Sequence, residues 1–554
     1  MGRDRIRLVQ LGDRARGFAL PYPEWKGVLE ELVPAYAGNI VLWNALFDLK
    51  FLARDGIKIP QRWVHDGMIM AHLHDPVRSV ALKQVGPRLL GSQWRAGQSA
   101  LKDVFRSAGW DFDTVPVDHP AYWQYSALDT VLTARTAEEL WPRIAPYREP
   151  YELEMAFIHV LRDAEVTGMV IDLPYCRSAS AQLQARAAVL KLQIDGISPI
   201  NPLSESQVVS ALQVQGAVLT KRTEKGNLSV DDDVLKSLGE AFPLAGLILE
   251  YRRASYLLSN FFVKLDALST DHGGHVTVHP STHPVGARTG RTSVTEPPLQ
   301  TVPRGRAVRD AFVARPGHRL ILADYDGMEM RFMAGDARCH AMLEAFARGE
   351  DVHTWVASQV HDIAAGEVTR GMRELAKNAA FAKIYCAGVE KFATTAGIGV
   401  QVASDFLSRY DELFPEVSAW QGKIVSEVSS RRSGKSWGYV ETTLGRHLPC
   451  EPGEEYKAVN YRDQGSCAEI AKAAAVRLAN AGLGDYFRLF VHDELICEAP
   501  EEVAAEVAME VATTMEDSTV FEGLTFTASA AVMPLRWGDK YGAEPNPLMN
   551  GAQP

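Results

Sequence analysis

The sequence predicts a multidomain protein that combines α/β and α+β architecture. Three observations carry this expectation. The chain has 554 residues, and since domains usually hold on the order of 100–200 residues, three or four units are expected. Residues 1 to about 147 alternate short β-rich runs with helical stretches, which is the α/β pattern. A long helical region from Tyr151 to about Leu268 then gives way, near Gly273, to strands mixed with helices.

In chain order, Ile6 to Leu11 and Asn39 to Trp43 read as strands, and Leu46 to Asp55 and His119 to Leu140 as helices. Pro142, Pro146 and Pro150 break the pattern and mark a domain boundary. Beyond it, Gln182 to Ile194 and Leu247 to Leu268 show the clearest helical spacing. Between them the basic, turn-rich stretch Thr220 to Asn227 suits a loop tip, with an ordinary solvated loop as the alternative. His275 to His279 and Arg319 to Ala323 read as strands, and residues 340 to 430 as mainly helical.

Composition narrows the class. With 46% hydrophobic and 23% charged residues, the chain is an ordinary globular one, neither disordered nor collagen-like. Its formal charge of −11 means that attraction to nucleic acid or to an anionic membrane is no whole-molecule property; such a partner needs a local basic surface. The six cysteines lie far apart without a CxxC pair, which disfavours a zinc ribbon or disulfide framework and suits a reducing cytoplasm. No apolar run is long enough to span a membrane, and the start carries neither an apolar signal core nor a myristoylation pattern.

Four constellations could carry chemistry. In Arg319 to Arg331 an apolar run ends on Asp324 just where helical spacing begins, so the carboxylate sits at a strand end facing a cleft, where it could hold Mg²⁺. An N-cap Asp would look the same. In Leu489 to Cys497 the triplet His492-Asp493-Glu494 is flanked by aliphatics and reads as a hairpin tip, either solvated or, paired with Asp324, a two-metal clamp for phosphoryl transfer. Arg373, Lys377, Phe381 and Tyr385 recur every four residues and share one helix face, with cations for phosphates and rings for sugar and base. An amphipathic core helix is the alternative there. Finally, Arg288 to Asp310 holds five arginines among Gly, Ser, Thr and Gln, suited to DNA backbone contact or to a solvated loop.

Taken together these resemble a family A, polymerase I type, DNA polymerase. Asp324-Tyr325-x3-Glu329-x-Arg331, Arg373-x3-Lys377-x3-Phe381-x3-Tyr385 and His492-Asp493-Glu494 match its catalytic and fingers motifs in order, and Arg288-Thr-Gly-Arg291 with Leu299-Gln300 matches the motif before them. Asp351-Val-His353-Thr, Gly445-Arg446 and Asn460-x3-Gln464-Gly agree as well. The likeness runs from about residue 150 to the end.

The resemblance implies a right-hand polymerase with a thumb at 148–286, palm at 287–350 and 438–554, and fingers at 351–437. It implies that Asp324, Asp493 and the Tyr325 carbonyl hold two Mg²⁺ ions, with Mn²⁺ able to substitute, and that Glu494 supports them. Lys377, Arg373 and His353 would neutralise the triphosphate, while Phe381 and Tyr385 stack near sugar and base. Glu329 would crowd the 2′ position, and Arg288, Arg291, Gln300, Gln464 and His492 would touch primer-template DNA. The partners implied are that DNA and deoxynucleoside triphosphates, for a monomer in a bacterial host's cytoplasm if phage-encoded, with accessory proteins unidentified. Asp326-Gly327 and Cys386 depart from the family pattern, and Asp326 adds a carboxylate beside the catalytic one.

Residues 1–147 resemble the family's ribonuclease H-like 3′–5′ exonuclease domain. Asn44-x3-Asp48 and Tyr125-x3-Asp129 match its second and third motifs, but no Asp-x-Glu occurs before Asn44, so half of the metal site is expected to be missing and proofreading to be weak or absent. Two other readings remain at this stage: a single-subunit RNA polymerase, against which Glu329 speaks, and a catalytically silent DNA-binding scaffold.

Overall fold

Two short ladders open the chain in the computed structural model, which describes residues 5–548 apart from 58, 224, 273 and 435. Strands β1 (Leu8–Gly12) and β2 (Gly17–Pro21) pair antiparallel, whereas β3 (Ile40–Leu42) and β4 (Val64–Asp66) pair parallel. The helices around them include α1 (Ala45–Arg54), α2 (Leu82–Leu90) and α3 (Pro120–Leu140). Helices α1 and α3 cover the stretches expected from spacing, with their starts shifted by one residue, whereas β2, β4 and α2 were not among the expected elements.

The boundary expected at Pro142 to Pro150 is a bend rather than a gap. A 3₁₀ stretch, Trp141–Tyr147, runs straight into helix α4 (Arg148–Thr167). The core is continuous across it: Leu46, Leu49 and Val64 share one cluster with Phe157 and Ile158 of α4 and with Tyr325 and Phe332 much later in the chain. Lys50 of α1 donates to Glu165 of α4 at 2.9 Å, and Glu165 also accepts from the Thr282 amide at 2.5 Å. With both side chains of the Lys50–Glu165 pair buried, losing either partner would leave a charge uncompensated.

Helices α5 (Leu173–Ile197) and α6 (Pro243–Leu257) pack together, and their far ends close a separate small core of Ile194, Val208, Leu212, Leu235, Leu244 and Ile248. The stretch expected to be one helix to Leu268 is interrupted by a π-turn at Leu258–Phe262, which seats the buried Phe261 and Phe262. Among the described residues, no helix is long and apolar enough to cross a membrane.

The site is carried by a four-stranded antiparallel sheet in the order β6 (Phe487–Val491), β7 (Glu494–Pro500), β5 (His318–Tyr325), β8 (Ala528–Met533). Strand β5 is covered on both faces, which explains its unbroken apolar run. Ile321, Ala323 and Tyr325 enter the main core and Leu320 and Leu322 a second one, each buried Leu or Ile stabilising the sheet by about 1.5–3 kcal/mol. Against α4 lies the long helix α8 (Lys457–Asn480), and α7 (Arg370–Ile384) stands across the cleft.

Candidate active site

Sheet order brings the two acids together. Strands β6 and β7 are joined by the two-residue turn His492–Asp493, with Val491 opposite Glu494. Strand β5 runs antiparallel beside β7, and its last pair is Ala323 with Leu495, so Asp324 comes level with Glu494 and the turn. His492 takes a φ of +59°, a left-handed conformation that costs a non-glycine residue on the order of 1 kcal/mol. Gln300 holds it there: its side-chain oxygen accepts from the His492 amide at 3.1 Å, and its Nε2 donates to the Phe490 carbonyl at 3.3 Å and to the Thr292 hydroxyl at 3.0 Å.

Loss of solvent, then the Asp493 and Glu494 carboxylates, push the Asp324 carboxyl up to about 7, with Lys540 opposing. The Asp324 side chain keeps contact with solvent at the end of β5. Asp493 is raised too, chiefly by burial and further by Glu494, while His492 and Arg291 oppose. Glu494 is buried and salt-bridged to Lys540 at 2.5 Å. Carboxylates that resist ionising together have the chemistry that a hard cation would relieve, and the Tyr325 carbonyl beside them accepts from the Gly327 amide at 3.0 Å. Asp324 and Asp493 remain a pair, since no group of three metal-ligating side chains converges among the described residues.

The raised acids have a stability consequence with a definite sign. Folding tightens proton binding at Asp324, so the metal-free chain loses stability as pH rises above about 4, and the loss is complete above about 7. Asp324→Asn is therefore expected to raise the thermal midpoint in EDTA at pH 8 and to leave it unchanged at pH 4, as thermal scans at the two pH values would show.

A cleft of about 620 Å³ opens beside Asp493, lined by Lys377, Arg373, Phe381, His353, Glu329, Arg291 and His492. Helix α7 starts at Thr369, whose hydroxyl accepts from the Met372 amide at 3.3 Å. It buries the small residues Ala376, Ala379 and Ala380, which lets it pack closely and leaves Arg373, Lys377 and Phe381 toward the cleft. Arg373 makes a two-pronged pair with Asp351 at 3.0 and 2.7 Å. Among the described residues, Lys377 has no ion-pair partner. His353 is buried, and that burial, with Arg373 and Lys377, pulls its imidazole down to about 4 against the pull of Asp351. It is neutral at pH 7, so in the free protein it offers a hydrogen bond rather than the charge expected from the motif.

Tyr385 ends α7 half exposed, and its hydroxyl accepts from Gln464 Nε2 at 2.9 Å. Cys386 follows with φ +48°, the left-handed position that glycine fills without strain. Cys386→Gly is expected to stabilise the chain by about 1 kcal/mol, read as a rise in denaturant midpoint with unchanged slope.

Several expected DNA-facing groups are engaged inside the protein. Arg291 pairs with Glu329 at 2.5 Å, and Arg288 forms two 2.8 Å contacts with Glu451. Asp326, which the sequence offered as an extra carboxylate, accepts from the Ser529 hydroxyl at 2.8 Å and the Thr527 hydroxyl at 3.1 Å, anchoring β5 to the β8 side of the sheet.

Sequence reasoning missed the support beneath the site. Lys472 of α8, fully buried, donates to Glu154 at 2.5 Å and to the carbonyls of Pro284 and Gly290 at 2.8 and 2.7 Å. Arg446 donates to Glu154 at 2.6 Å and to Glu469 at 3.1 Å. This cluster fixes the loop that presents Arg291; Gly290, at φ +83°, lies so near Arg446 that a Cβ would meet its guanidinium carbon at 2.9 Å. Asp463, buried beside Arg291 and Glu329, was also overlooked; burial first, then Glu329, holds it well above the carboxylate range. Charged residues at i and i+3 within the otherwise apolar run Ala468 to Val476 of α8, Glu469 and Lys472, were the available signal.

Comparison with known proteins agrees with this geometry. Residues 173–536 match the model described as DNA polymerase family A. The chain is 28% identical to the DNA polymerase of Mycobacterium phage D29, over 98% of this chain and 91% of that one. It is 30% identical to the thermostable DNA polymerase I of Thermus aquaticus, over 83% of this chain and 54% of that one. Its fold resembles the polymerase domain of Pol1 from M. smegmatis, solved as a complex with DNA primer-template and dNTP. That match has TM-score 0.78 at 23% identity and covers 96% of this chain and 95% of the other. The chain thus belongs to DNA polymerase family A and is a DNA-directed DNA polymerase, a nucleotidyltransferase.

Proposed function

We propose that this cleft joins a primer 3′-hydroxyl to the α-phosphate of a template-paired deoxynucleoside triphosphate, with Asp324 and Asp493 holding two Mg²⁺ ions. The observation that carries the reading is the convergence of these two acids, both resisting ionisation, beside the cationic face of α7. Bound there, Mg²⁺ would supply Lewis-acid stabilisation of the attacking and leaving oxygens. The primer hydroxyl gives up its proton to solvent, its oxygen forms the new P–O bond as the α–β bridge breaks, and pyrophosphate leaves. Lys377, without an ion pair among the described residues, meets the triphosphate charge. Arg373 joins it on release from Asp351, and the neutral His353 adds a hydrogen bond. Phe381 and Tyr385 give flat surfaces to sugar and base. Arg288, Arg291, Gln464 and His492 line the path of primer-template DNA. Gln300 serves that path indirectly, by fixing the hairpin tip that carries Asp493.

Glu329, held by Arg291 at the floor of the cleft, crowds the 2′ position. Glu329→Ala is expected to raise ATP incorporation relative to dATP by one to two orders of magnitude, roughly the 1–3 kcal/mol that one well-placed steric contact provides; an unchanged ratio in single-nucleotide insertion would refute the role. In this reading residues 148–286 form the thumb, 287–350 and 438–554 the palm and 351–437 the fingers of a monomeric enzyme working in the cytoplasm. Residues 1–147 form an exonuclease-like unit with weak or no proofreading, a reading supported by the antiparallel and parallel strand pairs and by the positions of Asp48 on α1 and of Tyr125 and Asp129 on α3. Primer extension on a defined template with four deoxynucleotides and Mg²⁺ tests the whole.

A further inference from the structure

The exonuclease-like unit contains a cation of its own. Lys83 of α2 is ion-paired with Asp129 of α3, and its ammonium lies 4.4 Å from the centroid of the Tyr125 ring. Both partners are shielded, their side chains 23% and 17% exposed, so this contact is less screened than a surface pair. The helices that present them are pressed together: a Cβ on Gly86 of α2 would meet Leu132 Cδ1 of α3 at 2.6 Å. The backbones that carry Lys83 and Asp129 are thus held side by side.

The surroundings disfavour a second positive ion. Lys102 lies close enough to Lys83 to add a second positive charge to these surroundings. Asp48, the other acid of the exonuclease motifs, has Asp66 as its charged neighbour. Asp66 is itself occupied, accepting from the amides of Asn44, Ala45 and Met68 at 3.0, 2.7 and 2.7 Å. A hard divalent ion needs anionic oxygens free of competing cations, and here the acid beside Tyr125 has its charge cancelled. The residues present do not fit the metal pair that the exonuclease motifs imply.

We propose that Lys83 stands at Asp129 in place of a divalent cation, so that the N-terminal unit takes up no metal there and cleaves no DNA end. This inference deepens the reading of residues 1–147, and it does not depend on which residues precede Met1. Its test uses the full chain carrying Asp324→Asn and Asp493→Asn, which removes the polymerase metal pair. Mn²⁺ titration followed by electron paramagnetic resonance is expected to show no uptake that Asp129→Asn removes. A labelled single-stranded oligonucleotide should be digested no faster than by the Asp129→Asn derivative. In thermal unfolding, Lys83→Met and Asp129→Asn should each lower the midpoint, and the double variant should fall no lower than the poorer single one. Stoichiometric Mn²⁺ uptake lost with Asp129→Asn overturns the proposal, as do digestion that Asp129→Asn abolishes or thermal effects that simply add. Primer extension by the unsubstituted chain reads the polymerase site separately, so failure of one reading is distinguishable from failure of the other.

Discussion

Asp324→Ala or Asp493→Ala should lower primer extension by at least about 10³-fold while leaving the chain folded. A divalent ion contributes several kcal/mol of transition-state stabilisation in phosphoryl transfer, and each 1.36 kcal/mol is about tenfold in rate. Neither side chain has a structural duty that would mask the result. Asp324 reaches solvent at the end of β5, where the backbone pairing with Ser529 of β8 survives loss of the carboxyl. Asp493 sits in a two-residue turn whose conformation is held by Gln300. Removing one of two repelling acids should even relieve the metal-free protein slightly at neutral pH. Single-turnover extension on a defined primer-template, with circular dichroism as the folding control, measures both. Near wild-type extension by either variant would remove the metal assignment.

Lys472→Met should destabilise the protein by about 3–5 kcal/mol, the range for removing one partner of a buried ionic cluster. Lys472 and Arg446 balance Glu154 and Glu469, and all four are buried. Methionine matches the lysine stem in length but leaves an uncompensated negative charge and two carbonyls, of Pro284 and Gly290, without their donor. Because Gly290 precedes Arg291, the loop should loosen as well, so the surviving folded protein should bind primer-template less well. Urea unfolding gives the stability term as a lower midpoint at unchanged slope. Adding Glu154→Gln should recover part of the loss by removing the orphaned charge, an effect that a packing defect alone would not show.

How far the sequence reaches is clear from particular residues. The four-residue spacing of Arg373, Lys377 and Phe381 placed them on one face of α7, and the polar triplet between aliphatics placed His492 and Asp493 at a hairpin tip. Both are local patterns, set by helix pitch and strand alternation, and so they are legible without the fold. The strand leading to Asp324 was legible for the same reason, although β5 runs one residue further, to Tyr325. The family likeness then implied roles for these residues.

Tertiary structure alone decided which charges meet. Lys472 and Glu154 lie 318 residues apart in sequence, and nothing local marks them as partners. The same holds for Glu494 with Lys540, Arg288 with Glu451 and Lys83 with Asp129. The neutral state of His353 and the engagement of Asp326 by Ser529 and Thr527 also follow from burial and from neighbours on other elements. Secondary structure and motif spacing depend on neighbouring residues and could be read from the sequence. Charge compensation and desolvation depend on where the chain path brings distant residues together, and that is why the sequence named Asp324, Asp493 and Asp129 while only the fold showed that Asp493 raises the proton affinity of Asp324 and that Asp129 is ion-paired with Lys83.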